Sequence, residues 1–415
     1  MKQFEQDIFQ VPPATDVEGE PLVIHRHKSD RDNQTLVIFV HGLGGRRYGS
    51  SPTWGDFPQY LFEDLPNIDI GLYEYTTLAK RLKFWKSISL DTEAEIFSQI
   101  IRDDLGDYQT VILIGPSMGG LLAKAGIAEL IDSDHLARIG GLILMATPQL
   151  GSTRVPRFLG LSNDARALRV HGKFVSRITR VFEDKLYLDE TISAPDRAVI
   201  PTWAVLGASD LWVDELSAGI GLPTGRKRII RGSHTEIVKP KNKSSTSYVF
   251  VKEKIGACLN RYKYDVFLAS PMAALDTDAD YQRYRHAALA VEKALVECCD
   301  IKSVFYAGRE ITTKKAFEAA GDSLNEDFRA LQASRYFMLV YPERRMSSVI
   351  YEAGMALAMG KPSIYLTNNR SDLPFLLQQA PQAFDRLKVK IYENCADTED
   401  VVRVIRNNCG SLFLK

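Results

Sequence analysis

Short apolar runs separated by polar turns recur along the chain: Thr35–Val40, Val111–Ile114, Leu142–Met145, Thr202–Leu206 and Arg228–Ile230. A strand buried on both faces reads this way, because neither side of it needs polar residues. Stretches of helical spacing lie between these runs, as at Ala94–Asp104 and Leu121–Ile131. Strand–helix alternation implies a mostly parallel sheet covered on both faces. Arg157–Asp196 breaks the pattern, being rich in Arg, Leu and Phe at helical spacing with no clear strand. It predicts a helical cap, about 152–198, over the carboxyl edge of the sheet. After the polar stretch Lys239–Ser247, Tyr248–Leu259 predicts a helix that closes this unit.

A second alternation follows Tyr262. Strands are expected at Tyr264–Ala269, Ser303–Tyr306, Tyr336–Val340 and Ser363–Leu366. Helices are expected at Tyr281–Val296, Leu324–Ala333 and Val349–Ala358. At roughly 150 residues per domain, 415 residues accommodate two such units. The boundaries expected are 1–260 and 261–415. The fold class is α/β in both, with the second a smaller doubly wound parallel sheet.

The sharpest chemical signal is Val111-Ile-Leu-Ile-Gly-Pro-Ser-Met-Gly-Gly120, in which a buried strand runs into G-x-S-x-G and then a helix. Such a turn holds the serine in a strained backbone, and only small residues fit two before and two after it. Ser117 is the candidate nucleophile. The Met118 N–H can hold a developing oxyanion. Upstream, Val40-His-Gly-Leu-Gly-Gly45 follows a strand and offers a second donor, the N–H of Leu43 or of Gly44. His41 is expected to shape this turn rather than act as a base. In this chemistry the chain order is serine, acid, histidine. Asp210 lies just past the strand Thr202–Leu206, with Asp214 the rival acid. Of seven histidines, only His234 follows the acid within the first unit.

These residues resemble α/β-hydrolases, in particular lipase-like serine esterases related to inositol deacylases and to hydrolase domains fused to STAND-type ATPases. The likeness runs over about 20–260. It is carried by the two glycine motifs, by Trp54, Phe57 and Leu65-Pro66, by Leu142-Ile-Leu-Met-Ala-Thr-Pro-Gln-Leu-Gly-Ser152 and by Gly232-Ser-His234. Pro116 and Gln149 stand where the family often has histidine. The resemblance implies hydrolysis of an ester or acyl lipid by Ser117, His234 and Asp210, with no cofactor.

The second unit opens with Tyr264-Asp-Val-Phe-Leu-Ala-Ser-Pro-Met272. It later carries Asp327 and Ser347-Ser348, then Tyr351-Glu-Ala-Gly-Met-Ala-Leu-Ala-Met-Gly-Lys-Pro362. Hydroxyls and amides at a helix start favour an anion. Glu352, in the first helical turn, is expected to stay ionised, and Gly354 to let the helix pack closely on a neighbour. These pieces resemble nucleoside 2-deoxyribosyltransferases and deoxynucleotide N-glycosidases over about 262–370, and TIR domains more distantly. The resemblance implies a nucleotide ligand, NAD-derived compounds included, held by Ser270, Pro271, Met272, Asp327, Ser347, Ser348 and Glu352. It makes Glu352 a nucleophile and Asp327 a base-contacting acid.

Charge and composition narrow the partners. Lys+Arg and Asp+Glu are 52 each, so no general polyanion binder is expected and nucleic acid is not a partner. Arg46-Arg47 and Arg226-Lys227-Arg228 read as solvated surface charge. Tyr281 and Tyr284 read as core and Arg283 and Arg285 as surface, either arginine being in reach of a phosphate. No apolar run approaches the ~18 residues of a membrane span, and Met1–Pro13 has no signal-peptide core. A cytoplasmic protein is expected, with peripheral membrane contact left open. The five cysteines show neither C-x-x-C nor metal spacing. The combined expectation is an acyl hydrolase controlled by a nucleotide, acting as a homo-oligomer. Bacterial antiphage or stress effectors provide the analogy. The alternatives are a second unit that cleaves NAD or another nucleotide with Glu352, and a non-catalytic oligomeric scaffold.

Overall fold

A computed structural model of the chain describes residues 1–17, 19–28, 33–49, 52–75, 89–151, 172–188, 197–210, 213, 215–272, 275–299, 301–318, 323–383 and 388–413. The chain divides into two compact units. Unit 1 is Met1–Glu190 with Val199–Leu259, and unit 2 is Thr191–Ala198 with Asn260–Lys415.

Unit 1 is built on an eight-stranded sheet. Its strands are β1 (Lys2–Gln6), β2 (Leu22–His27), β3 (Thr35–Val40), β4 (Asp69–Tyr73), β5 (Thr110–Pro116), β6 (Ile139–Met145), β9 (Thr202–Gly207) and β10 (Lys227–Ile230). A separate short ladder pairs β7 (Leu186–Tyr187) with β8 (Ala198–Val199). The order across the large sheet is β1-β2-β4-β3-β5-β6-β9-β10. From β4 to β10 neighbouring strands are parallel, whereas β2 runs antiparallel to β4 and carries β1 with it. This is a mixed α/β architecture with a large, mostly parallel sheet, consistent with an α/β-hydrolase fold. The helices are α1 (Phe57–Asp64), α2 (Leu90–Gln99), α3 (Met118–Glu129), α4 (Lys173–Lys185), α5 (Glu215–Gly219) and α6 (Thr246–Leu259).

Every residue of β3 is buried, and so is β5 beyond Thr110, which accounts for their uninterrupted apolar sequences. They pack against Phe57, Phe62, Tyr248 and Ile255 in one continuous core. Helix α3 is buried nearly all round, with Met118–Ala128 inside. It has no polar face because it packs between the central strands β3, β5 and β6 and the helices α2 and α4.

Of the cap expected at about 152–198, residues 152–171 and 189–196 lie outside the described residues. The described part carries α4, which buries Phe174, Val175, Ile178 and Phe182. Two arginines expected on the surface are buried. Arg47 pairs with Glu74 at 2.9 Å, and the Arg226 guanidinium sits 4.8 Å from the centre of the Trp203 ring. Each has a partner that makes burial tolerable.

Unit 2 carries β11 (Tyr264–Ala269), β12 (Val304–Phe305), β13 (Ser334–Tyr341), β14 (Ser363–Thr367) and β15 (Val389–Tyr392) in the order β12-β11-β13-β14-β15, all parallel. Helices α7 (Asp278–Cys298) and α12 (Thr398–Leu412) share one hydrophobic core. Helices α9 (Ser323–Gln332), α10 (Val349–Ala358) and α11 (Phe375–Ala383) share another. The short α8 is Lys314–Glu318. The two cores cover opposite faces of a doubly wound sheet. The chain leaves β11 in one direction and returns to add β13 on its other side, so the strand order reverses between β11 and β13. Crevices outside the carboxyl ends of strands at such a reversal are where open α/β sheets take ligands.

Gly354 does not serve close packing. It is exposed on α10, and a Cβ placed there meets nothing within 4 Å.

Candidate active site

Ser117 lies between β5 and α3 with φ 49° and ψ −124°. A non-glycine residue with positive φ is held there only by its surroundings. Two close approaches make the turn possible. A Cβ on Gly115 would lie 2.6 Å from the Gly120 Cα, and one on Gly119 would overlap the carbonyl oxygens of Val40 and His41. The expected small residues on either side of Ser117 therefore have a steric cause. The Ser117 N–H donates to Met145 O at 3.0 Å, and Thr147 Oγ1 donates to Gly115 O at 3.2 Å, which ties the elbow to the end of β6.

The turn after β3 lies against the elbow. A Cβ built on Gly42 would be 3.6 Å from Ser117 Cβ. Gly45 N–H donates to Gly42 O at 3.0 Å, and Gly44, third in that turn, has φ 71°. A four-residue turn with positive φ at its third position favours glycine there. His41 holds the turn from the side. Its Nδ1 donates to Gly42 O at 2.8 Å, its Nε2 accepts from Tyr75 N–H at 3.2 Å, and its ring stacks on Tyr75 at 4.4 Å. With both ring nitrogens engaged, His41 is a turn-shaping residue. Gly45 N–H is engaged as well, whereas the amides of Leu43, Gly44 and Met118 have no acceptor among the described residues. Met118 opens α3, whose first-turn N–H groups have no intrahelical partner.

The candidate acid and base come from neighbouring loops that zip together. Ala208 N–H donates to Ile230 O at 2.9 Å and Ser209 N–H to Gly232 O at 3.2 Å. This brings Asp210, past β9, to His234, past β10. Asp210 Oδ2 accepts from His234 Nδ1 at 2.7 Å, and Asp210 Oδ1 accepts from Val213 N–H at 3.1 Å. The Asp210 side chain is 2% exposed, so the ion-dipole contact with the ring is shielded from solvent. A proton on Nδ1 leaves Nε2 as the basic nitrogen of the neutral ring. Asp214, the rival acid, lies outside the described residues. Ser117, Asp210 and His234 all follow the carboxyl ends of parallel strands of one sheet.

Sequence reasoning missed a polar cluster beside this edge. Lys124 of α3 is buried and its Nζ donates to Gln149 Oε1 at 3.1 Å, with the Phe182 ring of α4 4.4 Å away. Burial lowers the Lys124 ammonium to about 8. Gln149 stands out in the sequence only as a departure from a family pattern, and a lysine in an apolar helix carries no signal of its own.

In unit 2 the residues singled out separate by role. Met272 is core, with Tyr306 OH donating to its Sδ at 3.0 Å, and Pro271 is buried beside it. Ser270 is buried after β11 and Ser347 precedes α10. The Oγ of each is buried and has no hydrogen-bond partner among the described residues. The charge of Asp327 on α9 acts on Glu352 on α10. Burial, then the Asp327 charge, pushes the Glu352 carboxyl up to about 7, against a hydrogen bond from Ser348. Burial, then Glu326, pushes Asp327 up to about 6. The expectation that Glu352 stays ionised is thereby corrected: desolvation and a neighbouring carboxylate outweigh the helix start and favour the neutral carboxyl. The two arginines considered for a phosphate are already engaged. Arg285 donates to Gly308 O at 3.0 Å and to Arg309 O, and Arg283 to Asp280 at 3.3 Å.

No protein-family model and no curated protein matches the chain. Solved structures similar to it include the propeptide form of a Bacillus licheniformis lipase, 17% identical over 56% of this chain and 53% of that one, TM-score 0.40. A Legionella pneumophila phospholipase complex with thio-NAD is 20% identical over 45% and 41%, TM-score 0.32. A Paleococcus ferrophilus monoacylglycerol lipase is 16% identical over 57% and 98%, TM-score 0.35. The chain thus spans about half, or less, of the length of the first two. At these scores the fold rests on the sheet order and the elbow described above. Among the described residues no helix is long and apolar enough to cross a membrane.

Proposed function

We propose that unit 1 is a serine hydrolase that cleaves a carboxylic ester, with an acyl lipid as its substrate class. One observation carries this reading: a serine at φ 49° on a strand–helix elbow shares a sheet edge with a His–Asp hydrogen bond of 2.7 Å. In this reading His234 Nε2 takes the proton of Ser117 as Oγ attacks the acyl carbon. The amides of Met118 and of Leu43 or Gly44 receive the oxyanion. His234 then returns the proton to the departing alkoxide, leaving an acyl-serine. Water, deprotonated by the same histidine, releases the acid. Asp210 holds the ring in the tautomer that keeps Nε2 basic. The test is hydrolysis of p-nitrophenyl esters of graded chain length by purified protein. Activity that survives in Ser117→Ala would remove this assignment.

For unit 2 we infer a ligand site for a nucleotide at the strand-order reversal. Support comes from the buried hydroxyls of Ser270 and Ser347, which have no hydrogen-bond partner among the described residues, and from the Asp327 charge that acts on Glu352. Two uses fit: sensing a nucleotide that controls the hydrolase, or cleaving an N-glycosidic bond with Glu352 at C1′ as the base departs. A panel of nucleotides, NAD included, separates them when binding, base release and esterase rate are read from the same samples. Base release lost in Glu352→Gln but kept in Ser117→Ala identifies cleavage. A change in esterase rate without base release identifies sensing, and no binding by any member refutes both.

A further inference from the structure

Lys124 occupies a position that a buried cation rarely takes without a reason. It lies in α3, the helix that begins beside Ser117, and its Nζ donates to Gln149 Oε1 at 3.1 Å. An ammonium can only donate, so it dictates which end of the Gln149 amide faces it. The other end, Nε2, then donates to Ala218 O at 2.8 Å and to Ile220 O at 3.3 Å. Those carbonyls belong to the last turn of α5 and the residue after it. The same segment is held again by Gln149 N–H to Ser217 O at 3.3 Å and by Ser217 Oγ to Gly151 O at 3.0 Å. Thr179 of α4 donates to Gln149 O at 3.3 Å. Helix α5 follows the acid loop by a few residues, and Val213 N–H in that loop donates to Asp210 Oδ1 at 3.1 Å. Hydrogen bonds therefore lead from the nucleophile's helix to α5, and a further one ties Val213, two positions before α5 in the chain, to the carboxylate that orients the base.

We propose that Lys124 and Gln149 form a strut that positions the Asp210 arm of the site against the nucleophile helix, making both positioning residues for the hydrolase. The proposal rests on the ester-hydrolase reading of unit 1. The strut depends on polarity rather than size. Gln149→Glu still gives Lys124 an acceptor but turns a repelling oxygen toward the carbonyls of Ala218 and Ile220. Lys124→Met keeps the bulk of the side chain and removes the donor. Displacement of a reacting group by about 1 Å can cost on the order of 100-fold in rate.

The experiment compares these two variants with the wild type in three readouts: ester turnover, the rate of Ser117 labelling by a fluorophosphonate, and the thermal midpoint by tryptophan fluorescence. The expected result is a fall of roughly 10- to 100-fold in both kcat and labelling rate, with KM changed less than about twofold. Gln149→Glu is the second route if Lys124→Met fails to fold. Variants that lose thermal stability but keep wild-type kcat and labelling would overturn the positioning role alone. A folded wild type that neither turns over ester nor takes label would overturn the hydrolase reading and the strut with it.

Discussion

Replacing Ser117 by glycine and, separately, by alanine separates backbone strain from chemistry. Ser117 sits at φ 49°. A Cβ-bearing residue in such a region costs on the order of 1–3 kcal/mol. Glycine adopts positive φ freely but loses about 0.5–1 kcal/mol more in chain entropy on folding. The net gain for Ser117→Gly is then about 1 kcal/mol. Alanine keeps the Cβ and the strain, so Ser117→Ala gains nothing from this source. All four tryptophans (Trp54, Trp85, Trp203 and Trp212) precede residue 260, so tryptophan fluorescence follows unit 1 alone. For a unit of this size 1 kcal/mol raises the midpoint by roughly 2–4 °C. The expected pattern is two variants equally inactive toward ester, with the glycine variant melting above the alanine variant by about that amount. Equal midpoints, or a glycine variant less stable than the alanine one, would refute strain at the elbow.

Asp210→Asn is expected to lower kcat by about 10³–10⁴-fold with little change in KM, since the amide cannot hold the required histidine tautomer; a fall under tenfold, measured on p-nitrophenyl esters, would count against Asp210 as the acid. Gly119→Ala drives a methyl group into the carbonyl oxygens of Val40 and His41, and a loss of about 2–3 kcal/mol is expected by tryptophan-monitored denaturation; unchanged stability would mean the elbow packs otherwise. In unit 2 the carboxyls of Glu352 and Asp327 are raised to about 7 and about 6. The native state therefore binds more protons than the unfolded chain between about pH 4 and 7, so unit 2 loses stability as pH rises through that range. Glu352 alone contributes on the order of 2–3 kcal/mol to this loss, and Glu352→Gln should flatten most of it. A midpoint of unit 2, followed by hydrogen exchange, that does not fall between pH 5 and 8 would contradict the carboxylate pair.

Some of this was legible in the residues. Strands β3, β5 and β6 are buried on both faces, so their sequences are unbroken apolar runs. Strands β1, β2 and β4 gave no such signal. Lys2–Gln6 alternates between half-buried and exposed, and β2 ends in His-Arg-His. In β4, Asp69 is buried because Tyr108 OH donates to it at 2.7 Å and Arg26 lies 3.7 Å away. A glycine fits closely there, because a Cβ on Gly71 would lie 3.2 Å from Ile38 Cγ1 and press on that side chain. Such partners come from distant sequence and leave no local trace. The candidate residues Ser117, Asp210 and His234 were readable because their chemistry constrains spacing and order. The upward shift of the Glu352 carboxyl was not, since it depends on burial in the fold and then on a carboxylate from another helix. The Lys124–Gln149 contact was hidden for the same reason, as were the burial of Arg47 and Arg226 by Glu74 and Trp203.

In the proposed hydrolase, Ser117 is a nucleophile activated by His234 and Asp210. The most direct test is covalent capture: incubation of the whole protein with a fluorophosphonate, followed by mass spectrometry of the digested chain. One adduct is expected, on the peptide carrying Ser117, absent in Ser117→Ala and formed at least about 100-fold more slowly in His234→Ala. No adduct on folded protein, an adduct on another residue, or labelling of Ser117 at an unchanged rate without His234 would contradict that role.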